Sequence, residues 1–379
     1  MGRALTVPHG LPAGSDTAIL SIFSYDPRTC YTGRSALEAA GMGVPVPRGS
    51  VSFRVNLCAV TQVDGEKVIQ SHNGGSIHGE EATTLMNDLL ADPTFAQLMD
   101  EASMSITVTD TFRHIGLMKT PVTDTHALTL TEPHNVLGQP VAQHLPRVAD
   151  GATEDVRAMA RHITALMLRS YEVLKDHPIN RRRIAGGQLP ADMIWPWGAA
   201  TAMELPSFPR KFGVSGSVVS AVPLVWGIAS LAGLKTPRVE GANGDLDTNY
   251  EGKVEAALDA LRGGDDFAAV HIEAPDEMAH AGSLSRKLEA IQNVEYRVVA
   301  PLLQKLPALG DFRLLLLSDH PTFLTTRTHD GSPVPYAIYD SRQPGAPRKF
   351  CEATAAYLPL LDPGARLMEK LFERKPIEE

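Results

Sequence analysis

Two segments near the carboxyl end of the chain place acidic and imidazole side chains directly after apolar runs. Asp276 and His280 follow "FAAVHIEAP", whereas Asp319 and His320 follow "FRLLLLS" and precede His329. A carboxylate and an imidazole four residues apart share one face of a helical turn and can bind one ion. Oxygen and nitrogen donors without thiolates favour Mn²⁺, Zn²⁺ or Mg²⁺. We therefore predict a two-metal site, although Asp319 could instead cap a loop by accepting backbone N–H groups.

A serine stands on a turn close to the start of the chain. In "GLPAGSDTAILS", Ser15 and Asp16 follow a Gly/Pro-rich stretch and precede an apolar run. Nucleophiles are mounted in this way on a loop at the head of a helix. Such loops usually follow a strand, and we expect no strand of useful length in the few residues before this one.

The composition restricts the class of protein. The chain has 379 residues, of which 43% are hydrophobic and 21% charged, as in a soluble globular protein of about two domains. Its formal net charge of −9 argues against nucleic-acid and anionic-membrane partners. Cys30, Cys58 and Cys351 have no metal-binding or disulfide spacing, which predicts reduced cysteines. No apolar stretch is long enough to cross a membrane, so we expect a cytoplasmic protein.

The pattern of apolar runs divides the chain into a core and an insertion. Residues 45–152 contain paired β runs with one helical segment between them, which predicts a smaller α+β domain. From residue 153 onward a long amphipathic helix is followed by short apolar runs that alternate with helices. This alternation predicts an α/β core, formed by residues 1–44 and 153–379, with a mainly parallel sheet flanked by helices. Ligands collect at the carboxyl ends of such strands, where the acidic and imidazole groups lie.

A basic cluster lies in the first part of the predicted core. "NRRRI" covers residues 180–184 and has two interpretations. It could be the solvated end of a helix. Alternatively, its arginines could bind a phosphate or carboxylate through their forked guanidinium groups.

The order of several segments resembles one enzyme family along essentially the whole chain. These segments are "GLPAGSDTAILSIFSYDPRTCYTGRSALEAAGMG", "DHPINRRRIAGGQLPADMIWPWG", "LDTNYEGK", "HIEAPDEMAHAG" and "LLLSDHPT" with the following "RTHDGSPVPYAIY". They resemble the archaeal-type cofactor-independent phosphoglycerate mutases of the alkaline phosphatase superfamily. The resemblance implies an alkaline-phosphatase-like α/β core with an inserted domain, two divalent metal ions (Mn, Zn, Co or Mg) and no 2,3-bisphosphoglycerate. It also implies interconversion of 3- and 2-phosphoglycerate, in glycolysis and gluconeogenesis, through a phosphoserine.

The resemblance assigns roles to the clustered residues. Ser15 would be the nucleophile and would also contact a metal. Asp276, His280 and His329 would hold one ion, whereas Asp319 and His320 would hold the other. A serine hydroxyl is a poor nucleophile near neutral pH, and metal coordination favours its ionised form.

Five further residues are candidates for binding phosphoglycerate. Arg181 and Arg183 lie where the core resumes after the insertion. Arg54, Arg113 and His114 lie on the inserted domain, which could close on the substrate and exclude water. The substrate is then the expected partner, and formation of a homo-oligomer stays open.

The start of the chain departs from the family pattern. Members normally begin with a strand that ends in Asp-Gly, and this aspartate completes the second metal site. The chain matches the family only downstream of that strand, so we expect a late start codon or a natural fragment, with weak metal binding and low stability in the second case. Two alternatives to a mutase remain, namely a metal-dependent phosphatase or phosphotransferase of the same superfamily and an inactive truncated paralogue.

Overall fold

A computed structural model describes residues 1–376 of the chain, and residues 377–379 of the predicted core lie outside this range. The described residues contain strands with the following bounds: β1 Gly2–Ala4, β2 Ser50–Val63, β3 Glu66–Ser71, β4 Met104–Thr107, β5 Arg113–Lys119, β6 Leu128–Thr129, β7 Arg147–Val148, β8 Met193–Thr201, β9 Gly216–Val219, β10 Phe267–Val270, β11 Arg313–Leu317, β12 Thr322–Phe323, β13 Thr328–His329, β14 Val334–Asp340 and β15 Leu360–Leu361.

Helices connect most of these strands. The α-helices have the following bounds: α1 Ser15–Ile22, α2 Pro27–Cys30, α3 Arg34–Gly41, α4 Glu80–Ala91, α5 Pro93–Glu101, α6 Glu154–Leu174, α7 Pro178–Ala185, α8 Phe208–Phe212, α9 Pro223–Leu231, α10 Tyr250–Arg262, α11 Ala274–His280, α12 Leu284–Val294, α13 Ala300–Lys305, α14 Glu352–Ala355 and α15 Leu367–Phe372. A π-helical turn at Glu295–Val299 joins α12 to α13. Short 3₁₀ helices occur at Pro133–Asn135, Val141–His144, Leu306–Leu309 and Gly364–Arg366.

The chain divides into two compact units. The first unit comprises residues 1–31, 40–42 and 203–379, and the second comprises residues 32–39 and 43–202. The second unit is therefore larger than the predicted insertion of residues 45–152. It includes α6 because the buried face of this helix packs against β8. The functional division into a metal-binding core and a substrate-closing domain stays a prediction.

The second unit is built on one antiparallel sheet. Its order is β3-β2-β5-β4, and β8 pairs with β2 on the side away from β5. The periodicity of α6 is confirmed, since Met159, Ile163, Met167 and Tyr171 are all buried. The alternation of runs and helices predicts that β8 belongs to a parallel core sheet, whereas β8 pairs antiparallel with β2. Sequence periodicity identifies a buried strand but does not identify its partner.

The first unit contains a mixture of parallel and antiparallel strand pairs. β9 and β10 are parallel, and β1 is parallel to β15. β14 is antiparallel to both β1 and β11, so the pairing is less parallel than the alternation of runs predicts. The short β1 precedes the serine-bearing turn, where we expected no strand of useful length. Within the described residues, none of the helices has the length and apolarity needed to cross a membrane.

One buried carboxyl group makes the stability of the second unit sensitive to pH. Asp192 is 4% exposed and accepts a hydrogen bond from the Val60 amide at 2.8 Å. Burial raises the pKa of Asp192 to about 7, whereas an unfolded Asp has a pKa of about 3.9. Both states are protonated below about pH 4, and the folded state loses stability as the pH rises between these two values.

We therefore expect the stability of Asp192→Asn, relative to that of the wild type, to increase as the pH rises. Between about pH 5 and pH 8 the difference in unfolding free energy should shift by roughly 2–4 kcal/mol towards the variant. Chemical denaturation at both pH values measures this shift. A difference that does not change with pH would show that the carboxyl group titrates normally.

Candidate active site

Two segments of the first unit bring together a carboxylate and two imidazoles. Asp276 and His280 lie on α11, and His329 ends β13. Their ligand atoms all lie within 4.8 Å of one another. His280 Nε2 is 3.2 Å from Asp276 Oδ2, and His329 Nε2 is 3.5 Å from Asp276 Oδ1. The four-residue spacing predicts the pairing of Asp276 with His280, and the resemblance adds His329 to it.

Backbone carbonyls set the orientation of both rings. His280 Nδ1 lies 2.8 Å from the Arg327 carbonyl oxygen, and His329 Nδ1 lies 3.2 Å from that of Ala13. A carbonyl accepts, so it favours the proton on Nδ1 and leaves a lone pair on Nε2. The two Nε2 atoms are only 2.9 Å apart. Either a proton or a cation must therefore lie between these nitrogens and the Asp276 carboxylate. Without a cation, His329 donates to Asp276, and a cation bound by both nitrogens and the carboxylate would replace that proton.

The charges in this group stabilise one another. Burial alone would raise the pKa of Asp276, but hydrogen bonds from His329 and Thr322 and the charges of both histidines hold it well below its usual range. Burial alone would lower the pKa of His329, but the hydrogen bond to Asp276 and the charge of Asp276 raise this pKa overall. The carboxylate is therefore ionised at neutral pH, as a metal ligand must be.

A second group forms around the serine. Ser15 Oγ lies 3.1 Å from His320 Nε2, and Asp319 Oδ2 lies 3.4 Å from the same nitrogen. Asp319 Oδ1 accepts from the His320 amide at 3.0 Å, whereas Oδ2 is buried without a hydrogen-bond partner. A buried carboxylate oxygen without a partner is costly, so the hydroxyl, carboxylate and imidazole fit a cation that binds this oxygen.

The structure brings all six predicted metal-site residues together. The rings of His320 and His329 are 4.1 Å apart between centroids, and these rings join the two groups. Ser15 begins α1, whose amino-terminal N–H groups favour nearby negative charge. The functional roles of the six residues stay predictions.

Three polar groups without a predicted role lie beside this cluster. Tyr31 donates a 2.5 Å hydrogen bond to Asp16, the neighbour of Ser15. His271 follows β10, and burial lowers its pKa to about 4. Lys253 is 1% exposed and donates to the carbonyls of Asn243 and His271, while burial lowers its pKa to about 8. A polar residue directly after a strand was a usable signal for His271, but no local pattern marked Lys253.

The predicted substrate residues of the second unit lie on two different faces of its sheet. Arg113 is opposite Asn56, which shares a face of β2 with Arg54, whereas His114 is opposite Val55 on the other face. His114 is 1% exposed and accepts a hydrogen bond from the Thr109 amide through Nδ1. Burial lowers its pKa to about 4. His114 is therefore a buried neutral residue whose Nε2 has no hydrogen-bond partner in the described residues, and its role in substrate binding stays a prediction.

The two predicted arginines of α7 have different environments. Arg183 is 6% exposed, and its guanidinium donates to the carbonyls of Leu189 and Gly74 and to Glu81. These bonds link α7 to other segments of the second unit, and the role of Arg183 in substrate binding stays a prediction. Arg181 lies on the exposed side of α7 and pairs with Asp176. Neither interpretation of "NRRRI" fits the whole cluster.

The fold and the clustered groups together define a class of enzyme. An α/β fold with a serine at the head of a helix, beside grouped carboxylates and imidazoles, is that of the alkaline-phosphatase-like enzymes. A solved structure of a Pyrococcus horikoshii protein is 25% identical with a TM-score of 0.72, over 100% of this chain and 88% of that one. The cofactor-independent phosphoglycerate mutase of Thermoplasma acidophilum is 22% identical with a TM-score of 0.58, over 98% and 88%, which supports the fold.

Sequence comparison identifies the family within this class. The family model of 2,3-bisphosphoglycerate-independent phosphoglycerate mutase matches residues 1–180. A probable mutase of this name from Geobacter sulfurreducens is 40% identical over 99% of this chain and 90% of its own length. The mutase of Methanothrix thermoacetophila is 41% identical over 90% of this chain and 80% of its own length. The chain belongs to the family of 2,3-bisphosphoglycerate-independent phosphoglycerate mutases, and the predicted family and α/β fold class are confirmed.

Proposed function

We propose that this chain interconverts 3-phosphoglycerate and 2-phosphoglycerate through a phosphorylated Ser15. The proposal rests on one observation in a chain of this family: the Ser15 hydroxyl lies 3.1 Å from His320 Nε2, and the same nitrogen lies 3.4 Å from a buried Asp319 oxygen that makes no hydrogen bond. The cytoplasm, where phosphoglycerate is found, is the proposed location. The proposed partner is the small-molecule substrate, and we propose that the chain binds neither nucleic acid nor membranes.

Two divalent cations fit the residues of the first unit. Asp276, His280 and His329 would hold one, and Asp319, His320 and the Ser15 hydroxyl would contact the other. When bound, such cations favour the ionised serine hydroxyl and screen the charge of a phosphoryl group during transfer. The oxygen and nitrogen donors suit Mn²⁺, Zn²⁺, Co²⁺ or Mg²⁺.

Ser15 carries the phosphoryl group between two positions of glycerate. Its hydroxyl loses a proton as Oγ attacks the phosphorus of 3-phosphoglycerate, the bond from phosphorus to the C3 oxygen breaks, and the C3 oxygen takes up one proton in exchange. The C2 hydroxyl of the same glycerate then attacks the phosphoserine and regenerates the Ser15 hydroxyl. Arg54 and Arg113, on the second unit, bind the charged groups of the substrate, and closure of residues 45–152 excludes water from the phosphoserine.

Phosphorus NMR tests this function directly. The purified chain, supplied with Mn²⁺ and 3-phosphoglycerate but no 2,3-bisphosphoglycerate, should produce the 2-phosphoglycerate signal until the two isomers reach equilibrium. The inorganic phosphate signal should stay near its starting level. Release of phosphate faster than isomer formation would favour the phosphatase interpretation. If neither 2-phosphoglycerate nor phosphate formed with Mn²⁺, Zn²⁺, Co²⁺ or Mg²⁺, both the mutase and the phosphatase functions would be contradicted.

A further inference from the structure

Arg54 is almost completely enclosed by its neighbours in the second unit. The residue is 6% exposed, and its Nε lies 2.9 Å from Glu38 Oε2. This Nε–H is not aligned for a hydrogen bond, so the contact is an ion pair. The guanidinium carbon lies 4.2 Å from the centre of the Trp197 ring, which therefore supports one face of the guanidinium plane.

An irregularity in the sheet creates the contact between arginine and tryptophan. Along β2 and β8, Ser52 is paired with Ala200 but Arg54 is paired with Trp197, so β8 carries one extra residue here. Such β-bulges re-aim side chains and often occur next to active sites. Gly198 lies within the bulge at φ +64°, a left-handed conformation that favours glycine. The bulge places the Trp197 ring directly opposite Arg54, on the same face of the sheet.

Glu38 links this arginine to a second one. Its Oε1 accepts a 2.9 Å hydrogen bond from Arg34 Nε, while Oε2 pairs with Arg54. The side chain is only 7% exposed. Burial would raise the pKa of Glu38, but the charges of Arg54 and Arg34 outweigh burial and lower it overall. Glu38 is thus an ionised carboxylate that fixes the positions of two guanidinium groups.

The contacts of Arg54 use one edge and one face of its guanidinium and leave the outer edge available. Within residues 1–376, no hydrogen bond is made by its two terminal nitrogens, and neither of them is a buried atom without a partner. Burial lowers the pKa of Arg54 to about 10, so it remains a cation at neutral pH. Two terminal N–H groups on a fixed plane match the two oxygens of a carboxylate or phosphate.

We propose that Glu38 and Trp197 are positioning residues that hold Arg54 as a preformed fork for an oxyanion of the substrate. The ligand class is a carboxylate or phosphate monoester, and the inference rests on the proposed function. Holding the guanidinium in place before binding removes most of the entropic cost of ordering a long side chain. A freely rotating arginine would bind the same anion more weakly.

Glu38→Gln tests the proposal because glutamine keeps the shape of the side chain but removes its charge. We expect the KM for 3-phosphoglycerate to rise about tenfold while kcat changes by less than about twofold, since only binding is lost. Trp197→Leu should act in the same direction, and Trp197→Phe should restore most of the affinity by keeping an aromatic face. Glu172→Gln is the matched control, because Glu172 is an exposed glutamate of the same unit that pairs with Lys67 and Lys175.

Calorimetric titration with 3-phosphoglycerate separates this proposal from the proposed function, because binding needs no turnover. An affinity that falls about tenfold in Glu38→Gln supports the positioning role even if the wild type shows no mutase activity. An unchanged affinity and KM in a folded variant overturns it. A purely structural role for Glu38 and Trp197 would also overturn the proposal. It would appear as a lower melting temperature and a lower kcat at unchanged KM in Glu38→Gln, Trp197→Leu and Trp197→Phe.

Discussion

Ser15→Ala reduces the turnover of 3-phosphoglycerate at least about a thousandfold, since a single residue carries the covalent step. The methyl group cannot attack phosphorus, and the remaining cluster can bind the substrate but cannot receive the phosphoryl group. Stability should change little, by about 0.5 kcal/mol or less, because the serine makes one side-chain hydrogen bond at the head of α1. An assay coupled to enolase measures the turnover.

The control for this variant is Ser105→Ala, which removes an exposed serine hydroxyl from β4 in the second unit. Its turnover should equal that of the wild type. If Ser15→Ala retained more than about a tenth of wild-type turnover, another group would have to accept the phosphoryl group, because loss of a nucleophile costs far more than this.

Asp276→Asn is the second change with a large expected effect. The carboxylate lies within 3.5 Å of both His280 Nε2 and His329 Nε2, and it supplies the negative charge of the first group. An amide keeps the shape but removes that charge, so Mn²⁺ affinity should fall at least about a hundredfold, with a similar fall in turnover at limiting metal. Titration of Mn²⁺ followed by electron paramagnetic resonance measures the affinity.

Asp259→Asn is the matched control for the metal experiment. Asp259 lies on α10 with its side chain 70% exposed and pairs with Arg262. Removal of this charge should leave Mn²⁺ binding unchanged. Equal Mn²⁺ affinities in wild type, Asp276→Asn and Asp259→Asn would show that no metal binds at Asp276.

Sequence patterns were sufficient to identify the candidate metal-site residues that follow two strands of the first unit. A polar residue after a short apolar run lies at the end of a strand, and this rule identified Asp276 after β10 and Asp319 after β11. The four-residue spacing from Asp276 to His280 corresponds to one turn of α11. These are local properties, so they could be read without knowledge of the tertiary structure.

Features that depend on strand pairing could not be predicted. Nothing local to "DMIWPWG" indicates that β8 pairs with β2, and this pairing moved the boundary of the second unit to residue 202. The burial of His114 and the bonds of Arg183 to Gly74 and Glu81 depend on residues that only the tertiary fold brings together. Arg34 and Glu38 are four residues apart on α3, so that pair is local, but nothing in the sequence indicates that Arg54 pairs with Glu38, because this contact forms only when α3 packs against β2.

The central claim is that Ser15 carries the phosphoryl group. The most direct test is to mix the enzyme and Mn²⁺ with 3-phosphoglycerate, quench the reaction in acid during turnover, and map the phosphorylated peptide by mass spectrometry. We predict phosphate on Ser15 in the wild type and none on the corresponding peptide of Ser15→Ala. Turnover without phosphate on Ser15, or with phosphate on a different residue, would contradict the account.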